Sequence, residues 1–89
     1  MTGVELIAAE RQRQIDVEGW TPEHDDTHSS GQMLAAANCY IRKTQGRDWL
    51  ISGWPWADEC PKPSKDPVRN LVKAGALIAA EIDRLQRLQ

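Results

Sequence analysis

Apolar positions recur with helical period along three stretches of the chain, and two polar stretches rich in turn residues separate them. In the first stretch Val4, Ile7, Ala8, Arg11 and Ile15 share one face, and Glu10, Arg13 and Gln14 belong to the wet remainder. Thr2 and Glu5 have the spacing of a capping box, so the first helix starts at Thr2. Gly19 is placed to end it by taking positive φ. The second helix is expected from about Ser30 to about Thr44, with Ser29 and Gln32 as its start signal and Gly46 as its stop. Its inward face is small: Met33, Leu34, Ala36, Ala37, Cys39, Tyr40 and Ile41. The third helix opens with Asp66 as N-cap and Pro67 at N1, where the missing N–H costs nothing. Val68, Leu71, Val72, Gly75, Ile78, Ala79, Ile82 and Leu85 form its apolar stripe, the predicted core face. Ala74-Gly75-Ala76 at its centre invites close approach.

The periodicity predicts an all-α fold: a small three-helix domain, residues 1–89 as a single domain, with a long irregular Trp/Pro-rich loop between helices 2 and 3. Residues 19–30 (GWTPEHDDTHSS) read as a loop, because their side chains supply turn geometry and bond their own backbone. The second loop, residues 47–66, holds Gly53, Pro55, Pro61 and Pro63. Ordered loops of that length in small domains tend to be functional. Trp49-Leu50-Ile51 predicts a short helical turn or strand inside it.

Composition sharpens this picture at one point. The chain has 89 residues, no Phe and four Trp, and Trp20, Trp49, Trp54 and Trp56 all fall in connections. Ala-rich helices leave space that indoles must fill, and Trp49 is expected to do so as core. Trp20, Trp54 and Trp56 flank the two loops and are expected to form one wall. At this size a core is marginal, which makes a homo-oligomer a reasonable way to gain buried area. A net charge of −2 argues against binding extended nucleic acid, which needs a basic face. No apolar run approaches a membrane span, and the N-terminus lacks a signal-peptide layout, so a cytoplasmic location is expected. Cys39 and Cys60 lack metal-site spacing and are expected as free thiols.

The sequence offers three kinds of candidate site. Trp20, Trp54 and Trp56 can stack on a nucleobase. Arg69, Lys73 and Lys65 near the start of the third helix can hold phosphate, and His24 or Asp25 can bond base or ribose. The run from Glu23 to His28 offers His24, Asp26 and His28 as metal ligands. Paired rings at that spacing need a helix to share a face, and Pro22 with Asp25-Asp26 argues against one, so no metal or other cofactor is expected. No histidine is placed to activate either thiol, and there is no Gly-rich phosphate loop, so no catalytic residue is expected.

Glu10 to His28 (E-R-x-R-Q-I-x-x-E-G-W-T-x-E-H-D-D-x-H), Trp54-Pro55-Trp56 and Leu71 to Leu85 (L-V-K-A-x-A-L-I-x-A-E-I-x-R-L) together resemble a group of small proteins of tailed bacteriophages and prophages. More distantly, the chain resembles the ryanodine receptor repeat domain. Gly19-Trp20, then Asp25 or Asp26, then His28, then Arg69 stand at the matching positions. The chain lacks that family's first-helix aromatic, its Pro-Tyr pair and its final Gly-aromatic turn. The resemblance implies adenine nucleotide held in an aromatic cleft, and the phage context implies sequestration of a host immune signal. The leading expectation is therefore a non-enzymatic protein binding a small nucleotide-like ligand. An interaction module that inhibits a host protein is the alternative. A metal-dependent nucleotide hydrolase using Asp25, Asp26 and Glu81 comes third, since the helices lack the E-x-x-E pairs of such enzymes.

Overall fold

A computed structural model describes residues 1–50, 53–57 and 60–88. Helices α1 (Gly3–Asp16), α2 (Pro22–Asp25), α3 (Gln32–Thr44) and α4 (Pro67–Arg87) follow in order, and the described residues contain no strand. The capping box at Thr2 and Glu5 is present in full. Asp66 caps α4 by accepting from the Val68 amide, with Pro67 in the first turn.

Helix α2 lies where the sequence pattern reads as loop. Thr21 accepts from the His24 amide as its N-cap, and Pro22 fills the first helical position. These are the same cap and proline signals that mark α4, so the sequence did carry the start of α2. What it lacked was a hydrophobic period, which a single turn is too short to show. The start of α3 also differs from expectation. Its N-cap is Gly31, at φ 80°, with no side-chain cap, while the Ser30 amide donates to Gln32 Oε1. The Leu50 carbonyl accepts from the Gly53 amide at 3.0 Å, and Ile51 lies outside the described residues.

Helix α4 is the spine of the domain. Both α1 and α3 pack along it and do not meet each other, and α2 rests on it as well. Met33, Ala36, Ala37 and Tyr40 of α3 join Ala74, Leu77 and Ala80 of α4 in the core. Small residues on both helices let them approach closely. Trp20, Trp54 and Trp56 then pack from the loops against this cluster. Trp49, expected as core filler, is half-buried and lies outside that set.

The expected inward faces of α1 and α4 are both corrected. On α4 the buried residues are Asn70, Val72, Ala74, Ala76, Leu77, Ala80, Glu81 and Arg84. Val68, Leu71, Ile78, Ile82 and Leu85 are exposed. On α1 the buried residues are Glu10 and Gln14, which were expected in water, while Val4 and Ala8 are exposed. Glu10 turned inward onto Arg13 and Arg69, and Glu81 onto Arg84. Leu34 of α3 is exposed too, against expectation.

Where α1 crosses α4, Ile7 lies on Gly75. A Cβ at position 75 would stand 2.6 Å from Ile7 Cδ1 and 2.9 Å from Cγ1. Gly75→Val is therefore expected to destabilise the fold by about 1–3 kcal/mol through overpacking. Adding Ile7→Ala should recover most of that loss in urea unfolding. A Gly75→Val chain as stable as the parent would contradict this contact.

Candidate functional site

The gap between α1 and α3 is roofed by the tryptophan loops, and it holds two sites on either side of Trp20. Gly19 sets this up. At φ 75° it turns the chain back so that the Trp20 amide donates to the Gln14 carbonyl at 3.0 Å, seating the indole over the end of α1.

On one side the packing is closed. Trp56 lies 5.5 Å from Trp20 and 5.4 Å from Trp54 between ring centroids, and its Nε1 donates to His28 Nδ1 at 3.3 Å. His24 meets His28 edge to face. Arg11 is ion-paired with the buried Asp25 and also donates to the Trp20 carbonyl at 3.1 Å. These residues leave no cavity among them large enough for a water molecule. Burial pushes the Asp25 carboxyl above its ordinary value although Arg11 faces it.

On the other side the packing is open. A cavity of about 270 Å³ is lined by Trp20, Trp54, Tyr40 and Leu77, with Gln14 and Glu10 from α1. Arg13, Glu18, Lys62, Lys73 and Cys60 complete the wall. Tyr40 and Trp54 meet edge to face at 6.0 Å. Lys73 Nζ stands 5.6 Å from the Tyr40 ring centroid and donates to the Lys62 carbonyl at 2.7 Å. Burial, and then the nearby Arg69 charge, lower the Lys73 pKa. The Tyr40 hydroxyl accepts from the Lys62 amide at 3.3 Å, and burial raises its pKa.

The floor of the cavity is electrostatic. Glu10 is 2% exposed and accepts two bonds from Arg13, both 2.9 Å, and one from Arg69 at 2.5 Å. Burial alone would raise its pKa; the bonds from Arg13 and Arg69 outweigh that and hold the carboxyl below its ordinary value. Arg13 also reaches Glu18 at 3.2 Å, and Lys62 reaches Glu18 at 3.5 Å. Beside them Gln14, 2% exposed, has a buried Oε1 with no hydrogen-bond donor among the described residues. A buried acceptor left unmatched costs about 1–3 kcal/mol, and this side chain stands between the open and the closed sides.

Of the residues singled out from sequence, Trp20, Trp54 and Lys73 line this cavity. Trp56, His24 and Asp25 lie on the closed side instead. Arg69 is turned beneath the cavity onto Glu10, and Lys65 is exposed outside it. Glu10, Gln14 and Tyr40 were missed as site residues. Glu10 and Gln14 looked like ordinary wet positions, and nothing in a single sequence marks a polar residue that will turn inward.

Comparison with known protein families, curated proteins and solved structures finds no match. What the site does must therefore be read from its own geometry. Among the described residues no three side chains group as metal ligands. Asp26 pairs with Arg87 at 2.6 Å, and Glu81 with Arg84 at 2.6 Å. With Asp25 on Arg11, each carboxylate invoked for a hydrolase is held by a guanidinium. Both cysteines are free; Cys39 is buried and Cys60 exposed. No helix among the described residues is long and apolar enough to cross a membrane.

Proposed function

We propose that this chain is a non-enzymatic binding protein whose cavity takes a single nucleotide or nucleotide-derived ligand. The observation that carries the reading is the open cavity of about 270 Å³ walled by Trp20, Trp54 and Tyr40, with Lys62 and Lys73 in the same wall. A planar base fits between aromatic walls. Stacking of this kind is worth about 1–3 kcal/mol per base. Lys62 and Lys73 stand where a phosphate attached to that base can be neutralised. The cavity's volume of about 270 Å³ sits at the lower edge of ligand pockets, about 300–1,000 Å³, so one base with its phosphate suits it better than a dinucleotide. The resemblance to phage proteins supports a sequestering role for such binding, with a host signalling nucleotide as the ligand.

Cys60 offers a direct test. It is the exposed thiol and lies in the cavity wall, while Cys39 is buried. Calorimetry against a panel of mono-, di- and cyclic nucleotides is expected to find binding, and the same ligands should slow the reaction of Cys60 with a thiol reagent. Trp54→Leu keeps an apolar side chain and removes one aromatic wall of the cavity. It is expected to weaken the ligand by roughly tenfold, the loss of one stacking contact of about 1–3 kcal/mol. No binding across the panel, or full binding by Trp54→Leu, would sink the reading.

A further inference from the structure

The face of α4 that points away from the core is the part of the molecule that the cavity does not explain. Val68, Leu71, Gly75, Ile78, Ile82 and Leu85 follow one another at alternating three- and four-residue steps. That is the a/d spacing of a coiled-coil seam, with a mean period of 3.5 residues. The seam lies opposite Leu77, Ala80 and Arg84, which face inward. Its five large side chains are 37–55% exposed. By contrast, the large hydrophobics buried in the whole described chain are Met33, Tyr40, Val72 and Leu77. The chain has placed more aliphatic bulk on this outer face than in its own core.

We propose that two copies of the chain pair through this face of α4, antiparallel about a two-fold axis near its middle. The seam is self-complementary in that order. Val68 meets the partner's Leu85, Leu71 meets the partner's Ile82, and at the level of Gly75 the partner's Ile78 meets Ile7, which already covers the glycine. No seam position is charged, so the pairing sets no like charges against each other within the seam, and Glu81 at its edge is paired with Arg84.

The dimensions fit as well. The 21-residue helix is about 31 Å long. With the exposed Val4 and Ala8 of α1 beside it, two helix widths of about 10 Å give a footprint on the order of 600 Å². That approaches the roughly 800 Å² per partner of a standard interface. A helix face of this spacing asks for another helix at a shallow angle, and the same face of a second copy meets that requirement.

Light scattering on the intact chain tests the pairing. The expected mass is twice 10.0 kDa. Ile82→Asp should shift it to that of one chain with the helical circular-dichroism signal unchanged, because position 82 is 51% exposed in the single copy. Ile78→Asp serves as a second variant with the same expectation. In a Cys60→Ser background, chains carrying Leu71→Cys should form disulfides with chains carrying Ile82→Cys. A chain that remains single at millimolar concentration, or a dimer indifferent to both aspartates, overturns the pairing. Disulfides formed between two Leu71→Cys chains instead overturn the antiparallel order. None of these outcomes depends on whether the cavity binds a nucleotide.

Discussion

Arg11→Met is expected to lower the unfolding free energy by about 3–5 kcal/mol, the usual loss when one partner of a buried ion pair is removed. The side chains of Arg11 and Asp25 are 13% and 3% exposed, so little water is at hand to replace the guanidinium. Methionine keeps the aliphatic stem and isolates the charge effect. Small domains hold roughly 5–15 kcal/mol in all, and each kcal/mol moves the midpoint by about 4–8 °C. The expected fall is therefore about 12 °C or more in a thermal melt. The second consequence is positional. Arg11 ties α2, through Asp25, to the carbonyl of Trp20, so its loss loosens the wall shared by both sides of the site.

The pH dependence of this defect follows from the sign of the Asp25 shift. Burial holds its carboxyl above the unfolded value, so the folded chain takes up that proton first. Asp25 on its own therefore adds stability as pH falls from the folded pKa to the unfolded one, near 3.9. In Arg11→Met the neutral acid no longer needs a counter-charge, so the difference from the parent should shrink as pH drops from 7 to about 4. Arg11→Met/Asp25→Leu should recover much of the loss at neutral pH. A defect that is constant with pH and not recovered by the double variant would mean that packing, not charge, dominates.

Glu10→Gln is expected to cost about 2 kcal/mol, within the 1.5–3 kcal/mol of hydrogen bonds to charged groups. The figure is kept low because the Arg13 and Arg69 side chains are 37% and 38% exposed and stay partly hydrated. Here the pH sign is the reverse of Asp25. The Glu10 carboxyl sits below its unfolded value, so its contribution is complete above about pH 4.3 and is lost as pH falls through the folded pKa. Urea titrations from pH 7 to 3 should show the parent losing stability through this window and Glu10→Gln losing less. The substitution also leaves Arg13 and Arg69 without their shared counter-ion beneath the cavity. Anionic ligands should then bind more tightly, not less, provided the fold is intact. Equal acid sensitivity of the two chains would remove Glu10 from this role.

The sequence alone was enough to establish the helical class, the caps at Thr2 and Asp66, the residue types on the small face of α3, and the two loops that build the site. These are local matters. Caps, glycine turns and proline placement depend on a few neighbouring backbone groups, and Ala-rich faces announce close packing wherever they fold. Of the single wall expected from Trp20, Trp54 and Trp56, the first two line the cavity and Trp56 packs on the closed side, a division that no local pattern encodes. Tertiary structure decided which face of α1 and α4 turned inward. Hydrophobic period points the aliphatic stripe of α4 to the core, and the fold turns it outward, packing Ala74, Leu77 and Ala80 against the small face of α3 instead. Glu10 went inward because Arg13 and Arg69 stand where they do. Arg69 is 59 residues from Glu10, and no local pattern encodes a pairing across that distance.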